Sequence, residues 1–228
     1  MPRSLRFTGV AAVATLWTSL LVATARSGFD LLGVEPLSYL GSDAGTAGLF
    51  SVGLLVSALL LAGFHRFVRD QFLVAPGFSA AMLTGLAGQL VAAVVPIGGD
   101  SVVHRVHTIS ALVLGISLPL LMWRFAAGQP QGRWRRISYA LFWVEAAACV
   151  VGLYLSARMV APVAEILPAS AFHAWIIIVT IKAARGTQSL GGPPCRDEGG
   201  GQRATSDRNS AAISVTSSRP VVTATTRS

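Results

Sequence analysis

The chain has 228 residues, of which 53% are hydrophobic and only 12% are charged, and its mean hydropathy is +0.61. This composition excludes a typical soluble globular domain, in which about a quarter of the residues are charged. The formal net charge is +8. The arginines, however, lie at the ends of apolar stretches and near the C-terminus and do not alternate with aromatic residues, which argues against a nucleic-acid-binding protein.

Six apolar stretches are each long enough to cross a bilayer, whose hydrocarbon core requires about 20 residues of helix. A soluble helical protein would carry a charged face on each helix, and these stretches have almost no charges. The sequence therefore predicts an all-α integral membrane bundle over residues 1–185. Its six transmembrane helices are predicted at about 7–25, 47–64, 77–95, 107–123, 137–155 and 167–183.

The basic residues are distributed unequally between the two sides of this predicted bundle. Outside the C-terminal segment, ten of them fall on the side of the two termini, and three, Arg26, Arg105 and Arg158, fall on the other side. Because positive charge marks cytoplasmic loops, both termini are predicted to lie in the cytoplasm. The 17 arginines and one lysine are typical of a GC-rich bacterial genome, so the predicted location is the bacterial cytoplasmic (inner) membrane.

The two ends of the chain carry different signals. The basic start, the apolar run and Ala23-Thr24-Ala25 also fit a secretory signal peptide, although the run is longer than the usual signal core of about 7 to 15 residues. Cleavage there would leave five helices.

Beyond Ala183 the composition changes to Gly, Ser, Thr, Pro and Arg, and a segment of this composition cannot bury enough apolar surface to fold. Residues 186–228 are therefore predicted to form a disordered cytoplasmic tail.

Glu145 is the most informative polar residue at membrane depth, because acids are costly there and are often functional. It lies at helical spacing from Ala148, Cys149 and Gly152, a stripe of small residues suited to close helix packing. The Glu145 side chain is therefore expected to face the bundle. In that position it could carry a proton, or it could join helices as a structural hydrogen-bonding group.

Three histidines and an aspartate are predicted to meet at the outer end of the bundle. His104 and His107 are three residues apart, which places both on one helix face, and Asp100 precedes them. His173 lies in the sixth stretch, which begins on the same side. The histidines could bind zinc or haem, but their spacing is far less specific than an HExxH motif. Interfacial hydrogen bonding is the simpler interpretation, and no cofactor is predicted.

Five acidic residues and one histidine are assigned to loops on the two sides of the membrane. Asp30, Glu35, Asp43, Asp100 and Glu165 fall in or beside the outer loops, and solvation by water accounts for most acids in such places. His65 directly follows the second apolar stretch and is assigned to a cytoplasmic loop.

Short motifs in the outer half resemble a known family. The segment PLSYLG at 36–41, Pro96 after the third stretch, and His107 followed by Ala111 look like the six-helix bacterial membrane family catalogued as domain of unknown function number 998. That family is more distantly similar to the Frag/DRAM/Sfk membrane proteins. The resemblance covers about residues 7–183 and implies no activity, because the family is uncharacterised. The positions that it marks are Pro36, Ser38, Tyr39, Gly41 and His107.

These features together predict an outer polar pocket that is covered by the loop 27–46 and floored by Glu145. Its candidate residues are Ser38, Tyr39, Asp100, His104, His107, Glu145 and His173. The leading hypothesis is a non-enzymatic protein that binds membrane lipid or a small amphiphile, or organises a membrane-protein partner. The alternatives are a small proton-coupled transporter that uses Glu145 and a metal or haem enzyme built on the three histidines.

Overall fold

A computed structural model describes residues 3–95, 97, 100–158 and 160–189 of the chain. Six α-helices contain most of these residues, and the described part has no β-strand. The α-helices are α1 Thr8–Ser27, α2 Ala47–Gln71, α3 Phe78–Val94, α4 Ser101–Gly128, α5 Arg133–Ser156 and α6 Ala161–Ser189. Two short 3₁₀ helices, Arg3–Phe7 and Leu37–Gly41, precede α1 and α2.

Five of the six described helices are long and apolar enough to cross a membrane, and α3 falls just short of that length. With 17 residues, α3 is about 25 Å long, which is at the lower limit for a transmembrane helix. These helices indicate a multipass membrane protein. The prediction of an all-helical protein with several apolar helices of membrane length is confirmed.

Helix α4 begins six residues before the apolar stretch that predicts it. Asp100 caps the helix: its carboxylate accepts hydrogen bonds from the backbone N–H groups of Val102 and Val103, at 3.0 and 2.9 Å. These bonds satisfy two of the N–H groups that the first turn of a helix leaves free. The predicted stretch does not include this turn because Ser101, His104 and Arg105 interrupt the apolar pattern.

Helices α2 and α6 also extend beyond their apolar stretches. Helix α2 continues to Gln71, so His65 lies within a helix and the loop assignment is wrong. Helix α6 begins at Ala161 and continues to Ser189, so the first four residues of the predicted tail are helical. Residues 190–228, which include Cys195, lie outside the described residues, as does Pro96.

The six helices form an up-and-down bundle in which consecutive helices pack against each other and α6 returns to contact α1. Most basic residues of the helices thereby lie at one end, which we call the arginine-rich end. The opposite end, which we call the loop end, carries the segment 28–46 and the C-terminal ends of α3 and α5. The basic residues of the arginine-rich end are Arg6, Arg66, Arg69, Arg124, Arg133, Arg135, Arg136, Lys182 and Arg185.

An aromatic core fills the half of the bundle nearest the arginine-rich end. Trp175 of α6 is completely buried, and its ring lies edge-on to Phe64 of α2 and Phe125 of α4, with ring centroids 5.9 and 5.3 Å apart. The ring of Phe172 stacks on Trp175 at 5.6 Å. Aromatic side chains bury large apolar areas and favour such edge-on contacts, so this cluster holds α2, α4 and α6 together.

Helix α5 approaches the backbone of α6 directly at Gly152. A Cβ atom at this position would lie 3.0 Å from Cα and 3.1 Å from the carbonyl oxygen of Ala164. Pro168 follows Ala164 by four residues within α6. Because proline has no N–H group, the Ala164 carbonyl lacks its usual helical donor, and α5 packs against α6 at that point.

Candidate functional site

A cavity lies halfway along the bundle and is surrounded by α1, α2, α3, α4 and α6. The volume of the cavity is about 80 Å³, which is enough for several water molecules or for part of a small ligand. Most of the side chains that line it are apolar. The polar side chains in its wall are Ser57, Gln89, Ser117 and His173.

His173 is held in this wall by Trp17 across the α1–α6 interface. The indole Nε1–H of Trp17 donates a hydrogen bond to Nδ1 of His173 at 2.9 Å. The two rings lie nearly perpendicular, with centroids 5.9 Å apart. Because an indole N–H can only donate, Nδ1 of His173 must accept, and the neutral imidazole therefore carries its proton on Nε2. His173 is thus a donor through Nε2.

Ser57 is the second donor in the wall, and its hydroxyl has no hydrogen-bond partner among the described residues although its side chain is completely buried. The other polar residues of the wall are already engaged as donors. The Gln89 amide donates to the carbonyl of Leu54 at 3.0 Å, and the Ser117 hydroxyl donates to the carbonyl of Leu114 at 2.7 Å. An unpartnered buried hydroxyl is uncommon in proteins, so Ser57 is a candidate to bind a water molecule or a ligand in the cavity.

His107, which is also assigned to the outer pocket, bonds to the backbone at the end of α3 and not to Trp17. Its Nδ1 lies 2.6 Å from the carbonyl oxygen of Val95, at the end of α3. Since a carbonyl only accepts, Nδ1 of His107 is the protonated nitrogen. His107 is buried and joins α3 to α4. His104 is exposed one turn earlier, and Asp100 caps the helix.

Ser38 is bound by Glu165, a residue that the sequence analysis assigns to a solvated loop. The carboxylate of Glu165 accepts hydrogen bonds from the backbone N–H of Ser38 at 3.2 Å and from its hydroxyl at 3.1 Å. Glu165 lies inside α6, so the loop assignment is wrong. Pro162 is the signal that could have corrected it, because proline in the first turn marks the start of a helix.

Glu145 is completely buried, as its predicted inward orientation requires. With Ser138 and Gly152, which are also buried, it forms the inward face of α5. The Cys149 thiol is 3.7 Å from Oε1 of Glu145 and donates to it, while Oε2 has no partner among the described residues. Helix α5 contributes none of the described residues that line the cavity, so Glu145 and His173 lie in separate polar sites.

Tyr39 lines a second space, an open cleft of about 450 Å³ at the loop end. The cleft is formed by the segment 27–43 alone and includes three acidic side chains. Its lining residues are Ser27, Gly28, Phe29, Asp30, Glu35, Tyr39, Leu40, Ser42 and Asp43. The structure therefore distributes the residues assigned to the outer pocket over several places and does not bring them into one pocket.

The structure also bears on the candidate metal ligands. Within the described ranges, no three His, Cys, Asp or Glu side chains are placed to hold one metal ion. His107 contacts the end of α3 and His173 contacts Trp17. The zinc and haem hypotheses therefore gain no support from this geometry.

Comparison with known proteins adds no functional information. No protein-family model, curated protein or solved structure matches the chain.

Proposed function

We propose that this multipass membrane protein binds a small amphiphile in the cavity halfway along its helix bundle. The observation that carries the proposal is the cavity wall: it is largely apolar, and it contains the unpartnered hydroxyl of Ser57 together with His173. Small-molecule sites typically combine apolar walls with a few fixed polar groups that orient the ligand. The two donors would bind the polar group of the amphiphile, and the apolar walls would bind its hydrocarbon part.

We also propose an orientation and a location for the protein. The excess of basic residues at the arginine-rich end supports a cytoplasmic position for that end and for both termini. The high ratio of arginine to lysine supports a bacterial cytoplasmic membrane. The motif at 36–41 and His107 support membership of the six-helix family of domain of unknown function number 998. The Glu165 contact gives Ser38, one of the positions marked by that resemblance, a structural role.

Mass spectrometry of the purified full-length protein tests the binding proposal. The protein is extracted in a mild detergent, and small molecules that co-purify with it are quantified per mole of protein. Ala169 lines the cavity, so Ala169→Leu fills part of it and should remove the bound compound. Ala14 is exposed on α1, so Ala14→Leu is the matched control and should retain the compound. Equal recovery from both variants, or no stoichiometric compound in the unaltered protein, would refute the proposal.

A second candidate function is proton-coupled transport through Glu145. The observation that favours it is the completely buried carboxyl group with one oxygen, Oε2, that has no partner among the described residues. Ionisable groups at membrane depth often belong to proton relays. Proteoliposomes loaded with a pH-sensitive dye test this candidate: proton flux should be lost in Glu145→Gln and kept in Val150→Ala, which changes an exposed side chain on the same helix. Flux that is absent from the unaltered protein under every imposed gradient would eliminate it.

A further inference from the structure

We infer that the ligand of the cavity is an uncharged, largely apolar molecule that carries a carbonyl group, and that Ser57 and His173 bind its carbonyl oxygen. This inference rests on the proposed function, because it names the chemical class of the molecule that the cavity would bind. It follows from three properties of the wall: its absence of charge, its free donors and the fixed proton of His173.

The first property is the absence of ionisable acids and bases other than His173 from the described lining. The lining contains no Asp, Glu, Lys or Arg side chain among the described residues. Glu145 lies on α5, outside the cavity, and Glu165 is bound to Ser38. A charged ligand group at this depth would be buried without a counter-charge, which is costly in a low-dielectric environment. The wall therefore favours an uncharged ligand.

The second property is the balance of donors and acceptors. One of the two amide N–H groups of Gln89 and the hydroxyl hydrogen of Ser117 are already bonded to backbone carbonyls. The hydroxyl of Ser57 is unpartnered among the described residues. The hydrogen bond from Trp17 engages Nδ1 of His173 and leaves the Nε2–H group for another partner. Buried donors without a partner are rarer than acceptors with a spare lone pair, so the ligand is expected to supply an acceptor. A carbonyl oxygen has two lone pairs and can accept from both donors.

The third property is that Trp17 fixes which nitrogen of His173 is the donor. If Nδ1 carried the proton, it would face the indole N–H of Trp17 and the contact at 2.9 Å could not be a hydrogen bond. Trp17 is therefore a positioning residue: it holds the Nε2–H tautomer and leaves that hydrogen for the ligand. Phenylalanine at this position would keep the aromatic packing and lose the hydrogen bond.

Equilibrium dialysis of matched eight-carbon compounds tests the ligand class. Full-length protein in lipid nanodiscs and empty nanodiscs are dialysed against 2-octanone, octane and octanoate, and the amount retained by the protein is the difference between the two. The ketone should be retained most strongly and octanoate not at all. Ser57→Ala should lower the affinity for 2-octanone about five-fold, the usual effect of losing one neutral hydrogen bond, and should leave octane unchanged. Ser51→Ala on the same helix is the control and should have no effect.

Variants of His173 and Trp17 separate positioning from packing. His173→Phe should weaken 2-octanone binding as Ser57→Ala does, while His173→Gln should restore it because an amide can accept from Trp17 and still donate. The imidazole ¹⁵N shifts of His173 should report a proton on Nε2 in the unaltered protein and a mixture of tautomers in Trp17→Phe. A proton on Nδ1 in the unaltered protein would overturn the inference.

The outcomes distinguish this inference from the proposed function. Equal retention of 2-octanone and octane, or preferred retention of octanoate, would refute the carbonyl ligand. If Ala169→Leu also removed that retention, binding in the cavity would still stand. Retention of no compound above that of empty nanodiscs would refute the ligand class, and an unaltered protein that also purified without a stoichiometric compound would refute the proposed function.

Discussion

Glu165 binds Ser38 through both carboxylate oxygens, although the two residues are 127 positions apart in the chain. The contact joins the 3₁₀ helix Leu37–Gly41 to the first turns of α6. Leu37 and Leu40 of this short helix pack into a small apolar cluster with Ala23 and Phe50. The carboxylate therefore anchors the loop over the loop end of the bundle, and the apolar cluster holds it in place.

Replacement of Glu165 should loosen this anchor. Glu165→Ala leaves the backbone N–H and the hydroxyl of Ser38 without their partner, which should lower the free energy of unfolding by about 1–3 kcal/mol. Denaturation of the detergent-solubilised protein by sodium dodecyl sulfate measures the change. Glu35 is an exposed acid in the same loop, so Glu35→Ala is the control and should have no effect. An equal effect of the two substitutions would show that the bonds to Ser38 do not stabilise the loop.

The two histidines of helix α4 should differ in their tolerance of substitution. His107→Ala removes the hydrogen bond to the Val95 carbonyl and leaves that group unpartnered within the interface of α3 and α4, at a cost of about 1–3 kcal/mol. His104 is exposed on the same helix, and His104→Ala should change stability by less than about 0.5 kcal/mol. Thermal unfolding followed by tryptophan fluorescence compares the variants. The assignment of His107 as a structural link between α3 and α4 would be wrong if both variants unfolded alike.

Gly152 should be intolerant of any side chain. Gly152→Ala places a Cβ atom 3.0 Å from Cα of Ala164, so α5 and α6 must separate, at a cost of about 1–3 kcal/mol. A Cβ at Gly115 of α4 would meet no atom within 4 Å. Gly115→Ala is therefore the matched control and should be neutral or slightly stabilising, because alanine favours a helix more than glycine does. Denaturation by sodium dodecyl sulfate measures the stability of both variants. Equal stability would contradict the close packing of α5 on α6.

The all-helical class and the presence of several long apolar helices were predictable from the sequence, because a segment that crosses a bilayer must satisfy its own backbone groups and does so as a helix. Their ends were less predictable. Helix α4 begins at Ser101 because Asp100 caps it, and hydropathy does not register a capping residue. Helix α2 continues past His65, whose imidazole lies 3.0 Å from the hydroxyl of Ser79 in α3. The first turn of α4 and the last turns of α2 contain polar residues, so hydropathy alone does not assign them to helices.

The candidate site was less accessible to sequence reasoning than the fold. His173 was predicted to meet His104 and His107 at the outer end of the bundle. Its partner Trp17 is 156 positions away, and spacing along one helix cannot reveal that contact. Ser57 gave no signal, because a single serine in an apolar helix usually bonds to its own backbone. Ser57 is a candidate ligand-binding residue because it lines the cavity, and the cavity forms only when five helices pack together.

The proposed topology requires all six helices to cross the membrane, and the short helix α3, which lines the cavity, is the helix whose crossing most needs a test. Fusions of green fluorescent protein and alkaline phosphatase, placed in the connection 72–77 before α3 and in the connection 95–100 after it, test the claim directly. Fluorescence is expected from the first position and phosphatase activity from the second, with both termini on the fluorescent side. The same reporter active at both positions would show that α3 does not cross the membrane and would contradict the proposed topology.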